Sequence, residues 1–197
     1  MIAIKDILNT HCLSLNSVEV SLESISGNVP IYIVLTDTKT RFSKISKWIT
    51  KDPYNHVSLS LTESLDELYT YTLVTKDNGI RGGIMVERKE DLIGANYSLY
   101  NMYVNEDTWL KLKETLDEMS SNPPGTKYNH LSLINAILGK PVFKNDAINA
   151  YICSQFVVEV LRRVGISIFD GRDSSTVKPY DLIKFKSLKH VRRGKIK

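Results

Sequence analysis

Residues 150–161 read Ala150-Tyr151-Ile152-Cys153-Ser154-Gln155-Phe156-Val157-Val158-Glu159-Val160-Leu161, a run that predicts an amphipathic helix with a cysteine in its first turn. The apolar stripe continues to Val164, and Gly165 ends the pattern. A helix N-terminus presents unpaired backbone N–H groups and a partial positive charge, which stabilise a thiolate. Cys153 is therefore a candidate nucleophile. The alternative is a small buried hydrophobic residue, the common environment of a free cysteine.

The composition of the 197-residue chain is that of an ordinary soluble globular domain, with 42% hydrophobic and 24% charged residues. Its two cysteines, Cys12 and Cys153, form neither a disulfide framework nor a Cys-x-x-Cys pair, which indicates a reducing compartment. The first residues lack the features of a secretory signal, and no apolar run approaches the roughly 20 residues of a membrane span. We therefore expect a cytoplasmic protein without a transmembrane segment.

Charge is concentrated in one segment of the chain. The net charge is +4, and residues 184–197 account for more than all of it. This segment, together with a basic helix predicted at 40–51, raises nucleic-acid binding as a minor alternative, but such tails are usually solvated. The expected organisation is an N-terminal extension at 1–28, one domain at 29–187 and a basic C-terminal tail at 188–197.

The pattern of apolar residues predicts five strands followed by three helices, with one more helix after the first strand. The strands are expected at 30–36, 56–62, 67–74, 83–87 and 98–104. The helices are expected at 40–49, 106–119, 129–138 and 153–164, whereas the glycine-rich run 79–83 is expected to be a turn. Strands and helices that are segregated along a chain indicate an α+β fold, here an antiparallel β-meander or partial barrel packed against helices.

A cysteine nucleophile needs a histidine as ion-pair partner or base, and the chain contains four. His11 lies in the extension and His190 in the basic tail, so neither is expected to be held rigidly. The other two occur in similar hexapeptides, in which Tyr-Asn-His is followed by an apolar residue, Ser and Leu. His56 begins a strand, a rigid element suited to a catalytic group, whereas His130 begins a short helix.

A strand that begins His56-Val57-Ser58, followed much later by a helix that begins Cys153-Ser154 and continues with Phe156-Val157, resembles the circularly permuted papain-like hydrolases. These include the permuted NlpC-type amidases, the YiiX-like proteins and the lecithin retinol acyltransferase-like enzymes. The resemblance covers roughly residues 29–187 and includes the segment Lys178-Pro179-Tyr180-Asp181-Leu182, which is similar to a Pro-x-Asp-Leu segment found after the cysteine helix. In the permuted group the histidine strand precedes the cysteine helix, as it does here.

The resemblance implies a permuted papain-like, NlpC-type fold and a Cys-His mechanism that proceeds through an acyl-enzyme. In it the Cys153 thiolate attacks a carbonyl, His56 takes and returns the proton, and the backbone N–H of Cys153 stabilises the oxyanion. Gln155 or Tyr151 would assist that stabilisation. A peptide, a peptidoglycan-like amide or an acyl-lipid is a substrate consistent with the family, and no cofactor or metal is implied.

The third, orienting residue has three candidates. The family usually carries it on the strand paired with the histidine strand, where Thr70 fits the expected position and Glu67 is the nearest carboxylate. Glu87 on the next strand is the third candidate. A register change of one residue reverses the face of a strand, so the alternation of residues does not decide among them.

Other chemistries lack their sequence signals. The chain has no His-Glu-x-x-His, no zinc-spaced cysteine pair, no phosphate loop and no dinucleotide fingerprint. The leading hypothesis is thus a cysteine-dependent amidase, peptidase or acyltransferase. The alternative is a catalytically inactive papain-like module that binds a ligand or protein partner in the same cleft.

Overall fold

A computed structural model describes residues 28–38, 52–76, 79–121, 128–144 and 150–197. These residues form an α+β fold in which six strands make one sheet and three α-helices follow the fifth strand. The strands are β1 (Val29–Asp37), β2 (His56–Ser60), β3 (Leu68–Lys76), β4 (Gly79–Glu87), β5 (Asn96–Val104) and β6 (Lys189–Lys195). The helices are α1 (Glu106–Ser121), α2 (His130–Leu138) and α3 (Cys153–Arg163). The predicted α+β class is confirmed.

The sheet is open and antiparallel, with strand order β4-β3-β2-β1-β5-β6. Strands β2, β3 and β4 form a meander, while β1 lies in the centre between β2 and β5. In the β1–β2 ladder Thr36 is opposite His56, so β1 fixes the point where the histidine strand begins. All five residues of β2 are buried, which makes it a rigid support for a functional side chain.

Strand β1 buries side chains on both of its faces because successive strand residues point to opposite sides. Ile31, Ile33 and Leu35 join the main core together with apolar residues of α1 and α3. Tyr32 and Val34 join a second cluster on the other face, completed by Leu65, Leu68, Leu92, Ala95, Leu99 and Ile196. The continuous apolar run of β1 follows from this two-sided burial.

Helix α3 packs against β2 and β3, and this contact brings the cysteine helix to the histidine strand. Its stripe is fully buried, with Phe156, Val157 and Leu161 at 0% exposure. Gly165 ends the helix in the left-handed region with φ 88°, and the N–H of Ile166 donates to the carbonyl of Leu161 at 2.9 Å. The predicted helix at 153–164 is confirmed to within a residue.

Two segments differ from the expectation. Residues 79–83 were expected to be a turn, but they are the first half of β4, and the register pairs Lys76 with Gly79. Residues Lys189–Lys195 were expected in a solvated tail, but they form the edge strand β6 on β5. An edge strand needs only one hydrogen-bonded neighbour and tolerates an exposed basic side, which explains why its sequence looks like a tail.

Several predictions lie outside the described residues: the extension at 1–27, the basic helix at 40–49, and the positions of His11 and Cys12. None of the helices in the described ranges is both long enough and apolar enough to span a membrane.

Candidate active site

His56 is held at the first position of β2, where it is 8% exposed. The preceding residue, Asn55, donates its backbone N–H to the carbonyl of Thr36 at 3.2 Å. The Asn55 side chain also accepts hydrogen bonds from the backbone and hydroxyl of Thr38, at 3.2 and 2.9 Å. These bonds tie the residue directly before the strand to the end of β1, so the imidazole projects from a well-supported backbone.

A buried carboxylate contacts the imidazole. Nε2 of His56 lies 3.0 Å from Oε2 of Glu87, and both side chains are nearly buried. The hydroxyl of Ser58, which is itself fully buried, donates to the same carboxylate oxygen at 3.2 Å. An ionised carboxylate only accepts hydrogen bonds, so Nε2 must carry a proton. The carboxylate thereby sets both the orientation and the tautomer of the ring.

The Cys153 side chain lies close enough to the same imidazole to contribute to its raised pKa, and both residues line one cavity. Since Nε2 is occupied by Glu87, Nδ1 is the ring nitrogen available to the sulfur. In the neutral ring Nδ1 has no proton and accepts one from the thiol, whereas in the charged ring it donates to a thiolate. Glu87 and Cys153 thus both interact with the ring of His56.

The ionisation of His56 is set by two opposed effects. Burial alone would lower its pKa, but the charge of Glu87 and the hydrogen bonds to Cys153 and Glu87 outweigh burial and raise the pKa to about 10. The ring is therefore protonated at neutral pH. An imidazolium beside a cysteine stabilises the thiolate, which is the reactive form of the side chain.

The sulfur lies at the beginning of α3. Ile152 is the N-cap residue in an extended conformation, and no side chain caps the helix. The backbone N–H groups of the first turn, including that of Cys153, have no partner within the helix. The next residue, Ser154, anchors the turn because its buried hydroxyl donates to the carbonyl of Val177 at 2.6 Å.

The three candidates for the orienting residue have different surroundings. The Thr70 hydroxyl donates to the backbone carbonyl of Val57 at 2.8 Å, and the exposed Glu67 accepts from the hydroxyl of Tyr69 at 3.1 Å. Of the three, Glu87 is the residue that the structure places against His56. It reaches the histidine from β4, with β3 lying between their strands.

The two side chains considered for oxyanion stabilisation contact protein groups. Gln155 accepts from Nδ2 of Asn129 at 3.3 Å and lies 3.5 Å from the Ser174 hydroxyl. The Tyr151 hydroxyl accepts from Arg163 at 3.0 Å. The backbone N–H of Cys153 is left as the donor that the helix start itself supplies.

Among the described histidines, His56 is brought to Cys153, while the other two lie at the surface. His130 is the exposed first residue of α2, with its ring centroid 5.3 Å from that of Tyr128. His190 is exposed on β6 and makes an edge contact with Tyr100 at 5.2 Å.

A cavity of about 270 Å³ opens over the site and is lined in part by Cys153, His56 and Glu87. Tyr54 and Tyr128 also line it, and sequence analysis did not single out either one as functional. Burial, together with electrostatic interactions with Cys153 and Tyr71, raises the pKa of Tyr128, so its phenol keeps its proton. Each tyrosine is the first residue of one of the two Tyr-Asn-His segments. This similarity between the segments is the sequence feature that could have identified the two tyrosines.

Within the described ranges, no group of three or more His, Cys, Asp or Glu side chains has the arrangement needed to hold a metal ion.

The chain matches no protein-family model and no curated protein sequence. The geometry of Cys153, His56 and Glu87 is therefore the guide to its chemistry.

The raised pKa of His56 predicts a specific dependence of stability on pH. A histidine with a pKa near 6.5 when unfolded and about 10 when folded contributes stability that is fully present below pH 6.5. That contribution is lost as the pH rises from 6.5 through 10. We expect the free energy of unfolding in urea to fall over this range, and to fall less steeply in Glu87→Gln. Equal slopes in the two proteins would contradict the assignment.

Proposed function

We propose that the protein is a cysteine-dependent hydrolase or acyltransferase that acts on an amide or ester, with the permuted papain-like arrangement that its sequence resembles. One observation carries the proposal: Cys153, at the start of a helix, interacts with the imidazole of His56, whose Nε2 lies 3.0 Å from the buried carboxylate of Glu87. Nucleophile, base and orienting group are the components of a cysteine-based catalytic triad.

The first half-reaction forms a thioester. The Cys153 thiolate attacks the carbonyl carbon, and the backbone N–H of Cys153 donates a hydrogen bond to the developing oxyanion. The bond from the carbonyl carbon to the leaving amine or alcohol oxygen breaks, and the His56 imidazolium gives that group its proton. Glu87 keeps the ring aligned through this transfer.

The second half-reaction releases the acyl group. Neutral His56 accepts a proton from water, or from an acceptor alcohol or amine, as that nucleophile attacks the thioester carbon. The carbon–sulfur bond breaks and the Cys153 thiolate is regenerated beside the imidazolium. Water gives hydrolysis, and any other acceptor gives acyl transfer.

Trapping the acyl-enzyme tests this proposal. We expect p-nitrophenyl acetate to add one acetyl group to the protein, found on Cys153 by mass spectrometry of the intact chain and its peptides. Cys12→Ser retains the adduct and serves as the matched control, whereas Cys153→Ala loses it. We also expect iodoacetamide to label Cys153 faster than Cys12 over roughly pH 5 to 8, the range in which activated thiols are ionised.

Equal reactivity of the two cysteines across that range would contradict catalysis. A cleft that only binds a ligand or protein partner makes the opposite prediction, because Cys153→Ala and His56→Ala would both leave its biological activity intact.

A further inference from the structure

We propose that the wall of the cavity formed by α2 is an acyl-binding pocket, so that the substrate delivers an uncharged aliphatic acyl group to Cys153; this inference rests on the proposed function. The wall consists of Leu133, Ala136 and Ile137, and Ile152 adds an apolar surface directly before the nucleophile. Leu133 and Ile137 are half-buried and can offer apolar surface to the cavity, whereas Ala136 and Ile152 are 3% and 2% exposed and offer little.

The charges around the cavity favour a neutral acyl group. The charged residues among its described lining occur as two pairs, His56 with Glu87 at 3.0 Å and Asp52 with Lys178 at 3.1 Å. A charged substrate group would have to compete with an existing partner and lose its hydration as well. Binding of an aliphatic chain on the α2 wall is favourable because it removes apolar surface from water.

The size of the cavity limits the length of the chain. Its volume of about 270 Å³ is near the lower end of the range for small-molecule pockets. Such a space suits a medium-length acyl chain better than a long-chain fatty acyl group. Each methylene that the wall covers should raise kcat/KM by about fourfold until the pocket is full.

A series of p-nitrophenyl esters from acetyl to hexadecanoyl tests the pocket. We expect kcat/KM to rise to an optimum at medium length and then to fall. Ala136→Phe fills the wall, so the ratio of kcat/KM for the octanoyl ester to kcat/KM for the acetyl ester should fall by about tenfold or more. Ile134→Phe is the matched control, since Ile134 lies on the same helix and is 40% exposed.

Two presentations of the acyl group distinguish its source. The same chain lengths are offered as soluble esters and as phosphatidylcholine acyl groups in detergent micelles. A chain-length optimum in either presentation supports the pocket, and the presentation that gives the higher rate identifies a soluble or a lipid donor. Measurable hydrolysis with a flat profile in both, or equal effects of Ala136→Phe and Ile134→Phe, would overturn it.

A binding measurement keeps this inference separate from the proposed chemistry. Cys153→Ala removes the nucleophile but leaves the α2 wall unchanged, and n-alkyl amides of increasing length are titrated into it by calorimetry. Affinity that rises with chain length and is weakened by adding Ala136→Phe supports the pocket. Affinity independent of length overturns it, whereas failure of wild-type Cys153 to acquire an acyl group counts against the proposed function instead.

Discussion

Replacing Glu87 with glutamine is expected to lower kcat/KM for ester hydrolysis by about 10²- to 10⁴-fold, the range found when a general base loses its function or its orientation. The substitution keeps the size of the side chain and removes its charge. Without that charge, burial dominates the ionisation of His56 and lowers its pKa from the raised value. The ring then loses its proton at a lower pH than in the wild type, and above that pH the thiolate loses its imidazolium partner.

The rate of iodoacetamide alkylation at Cys153 separates this effect from a general loss of structure. We expect the Glu87→Gln protein to react slowly near pH 6 and to regain reactivity as the pH rises, because hydroxide then replaces the imidazolium in producing thiolate. Wild-type protein should react over the whole range. A protein that had simply unfolded would show the same rise with pH, because its thiol has an ordinary pKa. Adding urea would leave the rate of that unfolded protein unchanged, whereas urea exposes the buried Cys153 of a folded Glu87→Gln protein and changes its rate.

The two other candidate orienting residues supply the controls. Glu67→Gln removes an exposed carboxylate that contacts Tyr69, and Thr70→Ser keeps the hydroxyl that bonds to the Val57 carbonyl. Both proteins should retain wild-type activity within about threefold, in line with the small effects of conservative changes away from a reacting centre. Activity that is lost in either one and kept in Glu87→Gln would assign the orienting role elsewhere.

Asp181→Asn is expected to lower the free energy of unfolding by about 2 to 3 kcal/mol, because it removes one charge from a buried ion cluster. The carboxylate is 3% exposed and accepts hydrogen bonds from Arg172 at 2.8 Å, Lys184 at 2.7 Å and the backbone N–H of Lys178 at 3.2 Å. Arg172 in turn donates to the carbonyl of Thr176 at 2.7 Å. Asp181 therefore ties together the segment that follows α3.

The same cluster predicts a dependence on acid. Burial would raise the pKa of Asp181, but the hydrogen bonds from Lys184, Arg172 and the Lys178 backbone outweigh it and lower the pKa. A carboxyl group with a lowered pKa contributes stability above its unfolded value near 3.8, and this contribution is lost as the pH falls further through the folded pKa. We expect acid unfolding below about pH 4 to be less pH-dependent in Asp181→Asn.

Urea unfolding at pH 7 and pH 3 measures both effects. Asp117→Asn is the matched control, since Asp117 pairs with Lys113 on the surface of α1 and its side chain is half exposed. Exposed ion pairs contribute little to stability, so this variant should match the wild type. Equal unfolding free energies for Asp181→Asn and wild type at pH 7 would show that the cluster does not hold this segment.

Most strands and helices can be predicted from the sequence because their apolar residues recur with strong periodicity. Strand β1 is a continuous apolar run that its two-sided burial explains, and α3 carries its stripe up to the glycine that ends it. Strand β6 gives no such signal. Its residues are mostly basic and exposed, and its pairing with β5 depends on contacts distant in sequence.

The site divides in the same way. Cys153 is the first residue of a helix and His56 is the first residue of a strand. The local sequence pattern alone predicts both of these positions. The partner of His56 depends instead on how far β4 is shifted relative to β2, which is set by two successive hairpins. A shift of one residue in the register of either hairpin would move Glu87 to the opposite face of the sheet from His56. No local sequence pattern determines the combined register of the two hairpins.

The contact between α3 and β2 also has a consequence for folding. His56 and Cys153 are separated by roughly a hundred residues of chain, so their meeting requires a loop closure of high contact order. A polypeptide that has formed its hairpins but has not docked this helix would contain both side chains and no imidazolium–thiolate pair. The rate at which Cys153 becomes selectively reactive to alkylation during refolding would therefore measure when α3 docks on β2.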